Sequence, residues 1–340
     1  MRHGRRATRK LQDLPSLFDS EEVLFETPSV ESPAGESGLV AEEKSGAGET
    51  GAEEIKLDVE FRKPLHRLRF MSFGSGSSGN CSYVGTERCG VLIDAGVDNN
   101  FVTAELVRNG INLSTIKGIL LTHDHGDHVR YCYALVRRNP GWKLFATPRT
   151  IEGILRRHNL SRRITEYHSP IFKEHEYMFD DIKVVPFTTS HDGADNMGYA
   201  FSMGDTNFVI CTDTGVITER ADYYLKQASA IMIESNYDNE MLTNGRYREY
   251  LKARIRSEIG HLDNRETARY IKSIYSPLIT HLFLCHLSEE NNTPETAFTT
   301  MVNALTELGV NPAPSSANIP SGTVYLATLP RYKSSDLYIL

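Results

Sequence analysis

The six residues His123-Asp124-His125-Gly126-Asp127-His128 follow an H-x-H-x-D-H spacing that lets His123, His125, Asp127 and His128 converge on one point. Neutral imidazoles and carboxylates together suit zinc, manganese or iron(II), and so dense a cluster can hold a pair of ions. The stretch ahead of it, residues 117–122, is a short β-rich apolar run and reads as a buried strand. Residues 129–138 have helical spacing, with Tyr131, Cys132, Leu135 and Val136 on the apolar side. The ligands are therefore expected on a strand-to-helix loop, where a rigid scaffold aims several side chains together. A merely polar loop rich in histidine has no reason to keep this spacing.

Four more polar residues stand where apolar runs end. Asp94 follows Val91-Leu92-Ile93, His191 follows Phe187-Thr188-Thr189-Ser190, Asp213 follows the run 208–212, and His286 follows Phe283-Leu284-Cys285. A strand emerging into a loop is the usual place for a functional group. Singly, each is a turn residue; together with the histidine cluster they form a candidate set.

The elements that must position these residues begin near Leu65. A strand is expected over 67–73, followed by Gly74-Ser75-Gly76-Ser77-Ser78-Gly79, which matches G-x-G-x-x-G by letter. A dinucleotide-binding fingerprint has to open a helix. Here the runs 81–84 and 91–93 flank a Gly85-Thr86-Glu87-Arg88 turn, so the sequence predicts a hairpin and a glycine loop lining a site. Further strands are expected at 144–146, 182–187, 198–203, 208–212, 230–233 and 282–285. Helices are expected at 150–158, 221–227, 247–257, 264–274 and 294–308. Strands and helices interleave in both halves, which indicates a layered α/β domain over 65–340.

Residues 1–64 differ in kind. They are rich in Glu, Ser, Gly, Ala and Pro, bury too little apolar surface to offset ordering entropy, and are expected to be a disordered acidic leader. The formal charge of −7 falls within residues 1–60, so residues 61–340 are neutral. Five cysteines in no CxxC pattern argue against a disulfide framework and fit a reducing compartment. The basic start lacks an apolar segment behind it, and no apolar run approaches membrane-spanning length. A soluble cytoplasmic protein with no membrane partner is expected; its oligomeric state is left open.

The order Asp94, His123-x-His125-x-Asp127-His128, His191, Asp213, His286 resembles the motif layout of the metallo-β-lactamase superfamily. The resemblance implies a four-layer αββα sandwich with two metals at one edge. It would assign His123, His125 and His191 to one ion and Asp127, His128 and His286 to the other, bridged by Asp213 and buttressed by Asp94. Residues 73–81, 233–238, 260–264 and 285–294 are similar to the YycJ/WalJ-type branch, which is associated with 5′-to-3′ exonuclease action on DNA. The long acidic leader departs from that pattern. The same segments resemble tRNase Z more distantly, where a Glu after a buried strand and a His in a turn before a helix assist cleavage. Here those are Glu234 and His261, but Leu262-Asp263 replaces the small hydroxyl residues of that turn.

The expected activity is phosphodiester hydrolysis by a metal-bridging hydroxide, since two ions both activate water and neutralise phosphoryl oxygens. Asp127 would orient that hydroxide. His261 would protonate the leaving oxygen or bind phosphate, with Glu234 setting its tautomer. Two basic stripes, 137–163 and 246–256, the second interleaved with Tyr247 and Tyr250, suit a nucleic acid partner, DNA first. The alternative keeps the fold but takes a small phosphodiester, lactone or thioester. A diiron oxidoreductase would want a carboxylate where this chain has His125. Cys285 is expected to face away from His286, whereas Cys211 shares strand parity with Asp213.

Overall fold

The structure is a computed structural model that describes residues 67–340; the acidic leader expected over 1–64 lies outside the described residues. Strands β1 (Arg69–Gly74), β2 (Cys81–Gly85), β3 (Gly90–Ile93), β4 (Ile116–Leu120), β5 (Lys143–Ala146) and β6 (His168–Pro170) lie side by side in chain order. A second sheet takes up β7 (Tyr177–Phe179), β8 (Ile182–Thr188), β9 (Met197–Met203), β10 (Thr206–Cys211), β11 (Ala230–Glu234) and β12 (His281–Cys285), then β13 (Asn311–Pro312) and β14 (Thr323–Thr328). Finally β15 (Tyr338–Ile339) returns to pair antiparallel with β1. Each sheet opens with antiparallel hairpins and then turns parallel, from β3 to β6 and from β10 through β11 and β12 to β14. The parallel members β11 and β12 are buried along their whole length, as strands covered on both faces must be.

Helices α1 (Asn99–Arg108), α2 (Gly126–Val129), α3 (Cys132–Arg138) and α4 (Pro148–Arg157) cover the outer face of the first sheet. Of the later helices α5 (Glu219–Leu225), α6 (Asn239–Asn244), α7 (Glu249–Ile255), α8 (Asn264–Ile274) and α9 (Pro294–Thr306), α5, α8 and α9 cover the second sheet. The result is the expected αββα sandwich. Its central layer is aromatic: Phe70 on β1 meets Phe208 and Phe283 of the other sheet at ring-centroid distances of 4.9 and 4.8 Å, and Phe283 meets Tyr338 at 4.8 Å. Such offset, tilted contacts add to the apolar area they bury. Among the described residues, no helix is long and apolar enough to cross a membrane.

The glycine run after β1 opens no helix; β2 and β3 form the expected hairpin, with Val84 opposite Val91. The helix expected over 129–138 is instead two pieces. The backbone N–H of Tyr131 leaves the helical ladder to donate to Ala95 O at 2.8 Å, so tertiary pairing divides α2 from α3. Asp127 and His128 therefore sit inside the short helix α2 rather than on a loop before a helix. Several elements carried no expectation, α1 and β14 among them. The apolar spacing of α1 is thinned by polar residues and it buries little besides Val102 and Leu106, while β14 follows a Pro- and Ser-rich stretch. Truncating Phe283 to Ala, at the centre of the sheet contact, is expected to cost roughly 3–5 kcal/mol of unfolding free energy. A urea titration showing a loss below about 1 kcal/mol would contradict this packing role.

Candidate metal centre

Except for His261, which lies between α7 and α8, the polar groups that the sequence singled out leave the carboxyl ends of strands. Asp94 follows β3, the His123–His128 segment follows β4, His191 follows β8, Asp213 follows β10, Glu234 ends β11 and His286 follows β12. Three of them sit in the left-handed backbone region: Asp94 at φ 62°, Asp213 at φ 46° and His286 at φ 54°. That conformation breaks the strand's alternation and re-aims the side chain, at a cost of roughly 1–3 kcal/mol per residue that the surroundings must offset. It also settles the cysteines. Cys211 lies in the outer core despite its parity with Asp213, and Cys285 lies between the sheets; burial raises both thiols, so neither is poised as a thiolate ligand.

Each histidine of the cluster has one ring nitrogen tied to an oxygen. Thr122 donates its N–H to Asp94 Oδ1 and its hydroxyl to Asp94 Oδ2, both at 2.8 Å, which leaves Thr122 Oγ1 to accept from His123 Nδ1 at 2.9 Å. His128 Nδ1 donates to Asp94 Oδ2 at 2.7 Å, and His191 Nδ1 to Gly260 O at 2.9 Å. His286 Nδ1 lies 2.9 Å from Glu234 Oε1, and His125 Nε2 lies 3.2 Å from Asp192 Oδ1. Pairing of one nitrogen fixes the tautomer and leaves the other as a ligand atom.

Those other nitrogens converge with carboxylates. Ligand atoms of His123, His125 and His191 lie within 4.8 Å of one another, as do those of Asp127, His128 and His286. Asp213 touches both sets: Oδ2 is 2.7 Å from His128 Nε2 and 3.7 Å from His123 Nε2, and Oδ1 is 2.6 Å from His286 Nδ1. Several of these atoms are buried without a hydrogen-bond partner, namely His123 Nε2, His286 Nε2, Asp127 Oδ1 and both oxygens of Asp213. Each such group would ordinarily cost about 1–3 kcal/mol. A donor set of imidazole nitrogens and carboxylate oxygens, orphaned in one place, fits divalent cations.

Ionisation follows the same logic. Burial pushes His123, His125 and His191 below the usual imidazole range, His125 to about 3, with neighbouring rings acting in the same sense. They are neutral at physiological pH, the form a metal requires. His128 and His286 go the other way: burial opposes their charge, but Asp213 and its neighbouring carboxylates outweigh it and hold both well above the ordinary value. Burial likewise opposes ionised Asp127 and Asp213, yet His128 and His286 hold both low.

Glu234 is fully buried and acts as a hub. Oε1 accepts from His261 Nδ1 at 2.7 Å as well as facing His286, and Oε2 accepts from Thr214 N at 2.8 Å. The structure thus brings His261 and Glu234 against the ligand cluster, with Glu234 behind His261. Four residues without an assigned role emerge here. Asn80 Nδ2 donates to Asp127 Oδ2 at 3.1 Å, and Ser75 Oγ accepts from His286 N at 2.8 Å. Asp192, next to His191, faces His125 while Arg254 Nε holds its Oδ2 at 2.7 Å. Thr122 has been described. Asn80 and Ser75 could have been suspected from the glycine run, Asp192 from its neighbour. Gly96 has a tight fit: a Cβ there would lie 1.5 Å from Asp127 O, so only glycine lets the two segments meet.

Comparison with known proteins agrees with this fold. A family model described as a beta-lactamase superfamily domain matches residues 90–286. The chain is 35% identical over 243 residues to the exodeoxyribonuclease YycJ of Bacillus anthracis, covering 71% of this chain and 90% of that one. It is 34% identical over 246 residues to the exodeoxyribonuclease WalJ of Streptococcus pneumoniae, covering 72% and 91%. In fold it is similar to the metallo-β-lactamase fold protein YhfI of Bacillus subtilis, with a TM-score of 0.56 at 14% identity over 80% of this chain and 99% of that one. The chain belongs to the YycJ/WalJ-type branch of the metallo-β-lactamase superfamily and is a metal-dependent hydrolase.

Proposed function

We propose that this hydrolase is a dinuclear phosphodiesterase that shortens DNA from the 5′ end. One observation carries the choice of substrate: two relatives named as exodeoxyribonucleases align along 90% and 91% of their own length. His123, His125 and His191 would hold one ion, and Asp127, His128 and His286 the other. Asp213 faces both sets, and Asp94 orients His128 from behind. Zinc and manganese both suit these donors, and iron(II) is also accepted. Two such ions supply an activated water near neutral pH and neutralise charge on the phosphoryl oxygens.

The chain's own groups do the rest. Asp127 Oδ1, buried and without a donor among the described residues, orients the attacking water. His261 keeps Nδ1 on Glu234, so Nε2 is the atom that meets substrate and delivers a proton to the leaving oxygen. Glu234 acts through His261 and His286 and is a positioning residue. Arg149, Arg156, Arg162, Arg246 and Arg248 are exposed and form no ion pair among the described residues, which leaves them available to a polyanion. Lys252 does not share that role, since its buried Nζ donates to Thr243 O at 2.7 Å. DNA as substrate and five free, buried cysteines support work in the cytoplasm.

End-labelled duplex and single-stranded DNA, incubated with purified protein and manganese or zinc, should lose nucleotides stepwise from the 5′ end. A His123→Ala/His125→Ala double variant should abolish the loss; DNA left intact under both metals would sink the reading. His261→Ala should lower kcat by roughly 10²–10⁴-fold while metal content is unchanged. Glu234→Ala should lower kcat and metal content together. A His261→Ala enzyme with near-normal kcat would remove His261 from the chemistry.

A further inference from the structure

Arg331 differs from the other arginines around the centre. It is half-buried and, among the described residues, forms no ion pair with a carboxylate. Its guanidinium is nevertheless fixed in place. Nη1 donates to Ser77 Oγ at 3.2 Å, Nη2 donates to Leu287 O, and the Tyr332 ring lies 5.8 Å from Cζ. Gly76 makes room for it, because a Cβ there would lie 2.7 Å from Nη1. A half-buried guanidinium held rigid, with no carboxylate in ion-pair contact among the described residues, is arranged to receive an anion.

Its neighbours tie it to the metal centre on both sides. Leu287 follows His286 directly, and Ser77 belongs to the loop whose Ser75 accepts from His286 N and whose Asn80 donates to Asp127. Arg130, exposed after α2, reaches the same loop at Ser78 O, 3.5 Å away. Two positive charges therefore flank the Ser75–Asn80 loop beside the ligand cluster.

We propose that Arg331, with the Ser77 loop and Arg130, is the anchor for the terminal 5′-phosphate of the strand being shortened. This rests on the exonuclease reading above and adds end recognition to it. With the terminal phosphate on Arg331, the first internucleotide linkage is drawn to the ligand cluster, and a strand ending in a hydroxyl loses that contact. Rigid placement makes Arg331 a specificity-determining residue, whereas the exposed arginines act on any phosphate along the backbone.

The test compares one duplex carrying a 5′-phosphate, a 5′-hydroxyl or a 3′-phosphate as its only difference, with manganese and the intact protein. The wild type should degrade the 5′-phosphorylated strand faster than the 5′-hydroxyl strand by roughly 10- to 100-fold, the scale of a charge-assisted hydrogen-bond pair. Arg331→Ala should bring that ratio close to one, and Arg331→Lys should leave it intermediate. The ratio is internal to each preparation, so a partly misfolded variant does not move it. If Arg331→Ala does not fold, Ser77→Ala, which keeps the guanidinium but frees it, should reduce the ratio several-fold. Equal wild-type rates on both 5′ ends, a preference for the 3′-phosphate, or a ratio untouched by these variants would overturn the anchor while leaving the exonuclease standing. Degradation of none of the duplexes would overturn both.

Discussion

Four carboxylates, Asp94, Asp127, Asp213 and Glu234, are buried at one edge of the sandwich, and they cannot share that space without positive charge between them. A buried, unpaired carboxylate costs several kcal/mol. Two histidines, His128 and His286, answer part of the demand and are held well above the imidazole range for that reason. The remaining imidazoles are driven neutral by burial and cannot help. Divalent cations would meet the whole demand at once, and His123 Nε2, His286 Nε2, Asp127 Oδ1 and the Asp213 oxygens, which lack hydrogen-bond partners among the described residues, are placed to bind them. The proposed ligand set answers that charge imbalance.

The fold supplies the other half of the account. Parallel strands end together, so residues far apart in sequence reach one edge without long loops. The central aromatic layer holds the two sheets in register behind that edge. Left-handed backbone at Asp94, Asp213 and His286 then turns each side chain out of its strand's alternation and into the site. The strain is tolerated because each residue is also held: Asp94 by hydrogen bonds with Thr122 and His128, Asp213 by its ion pair with His128, and His286 through its N–H to Ser75.

What the sequence made legible follows from this. The H-x-H-x-D-H run is local, so its spacing carries its meaning, and the strand-end residues could be collected around it. The continuous apolar runs of β11 and β12 announced buried strands, which the structure pairs in parallel. Groups that act across the fold were not visible. Asp192 matters because Arg254 and His125 flank it, and Arg331 because it forms no ion pair among the described residues; neither condition has a signature in linear sequence. The break between α2 and α3 comes from Ala95, thirty-six residues upstream of Tyr131, so periodicity alone ran the two helices together. The fate of Lys252 turned on burial beneath α6, which a charge pattern does not report.

The central claim is that Asp213 joins two metal positions built on separate histidine sets. Crystals of the protein grown with manganese or zinc, measured on both sides of the metal's absorption edge, test it directly. The account predicts two anomalous peaks per chain, one against His123, His125 and His191, the other against Asp127, His128 and His286, with the Asp213 carboxylate between them. In Asp213→Ala crystals at least one peak should vanish. A single peak in the wild type, or two peaks that survive loss of Asp213, would contradict it.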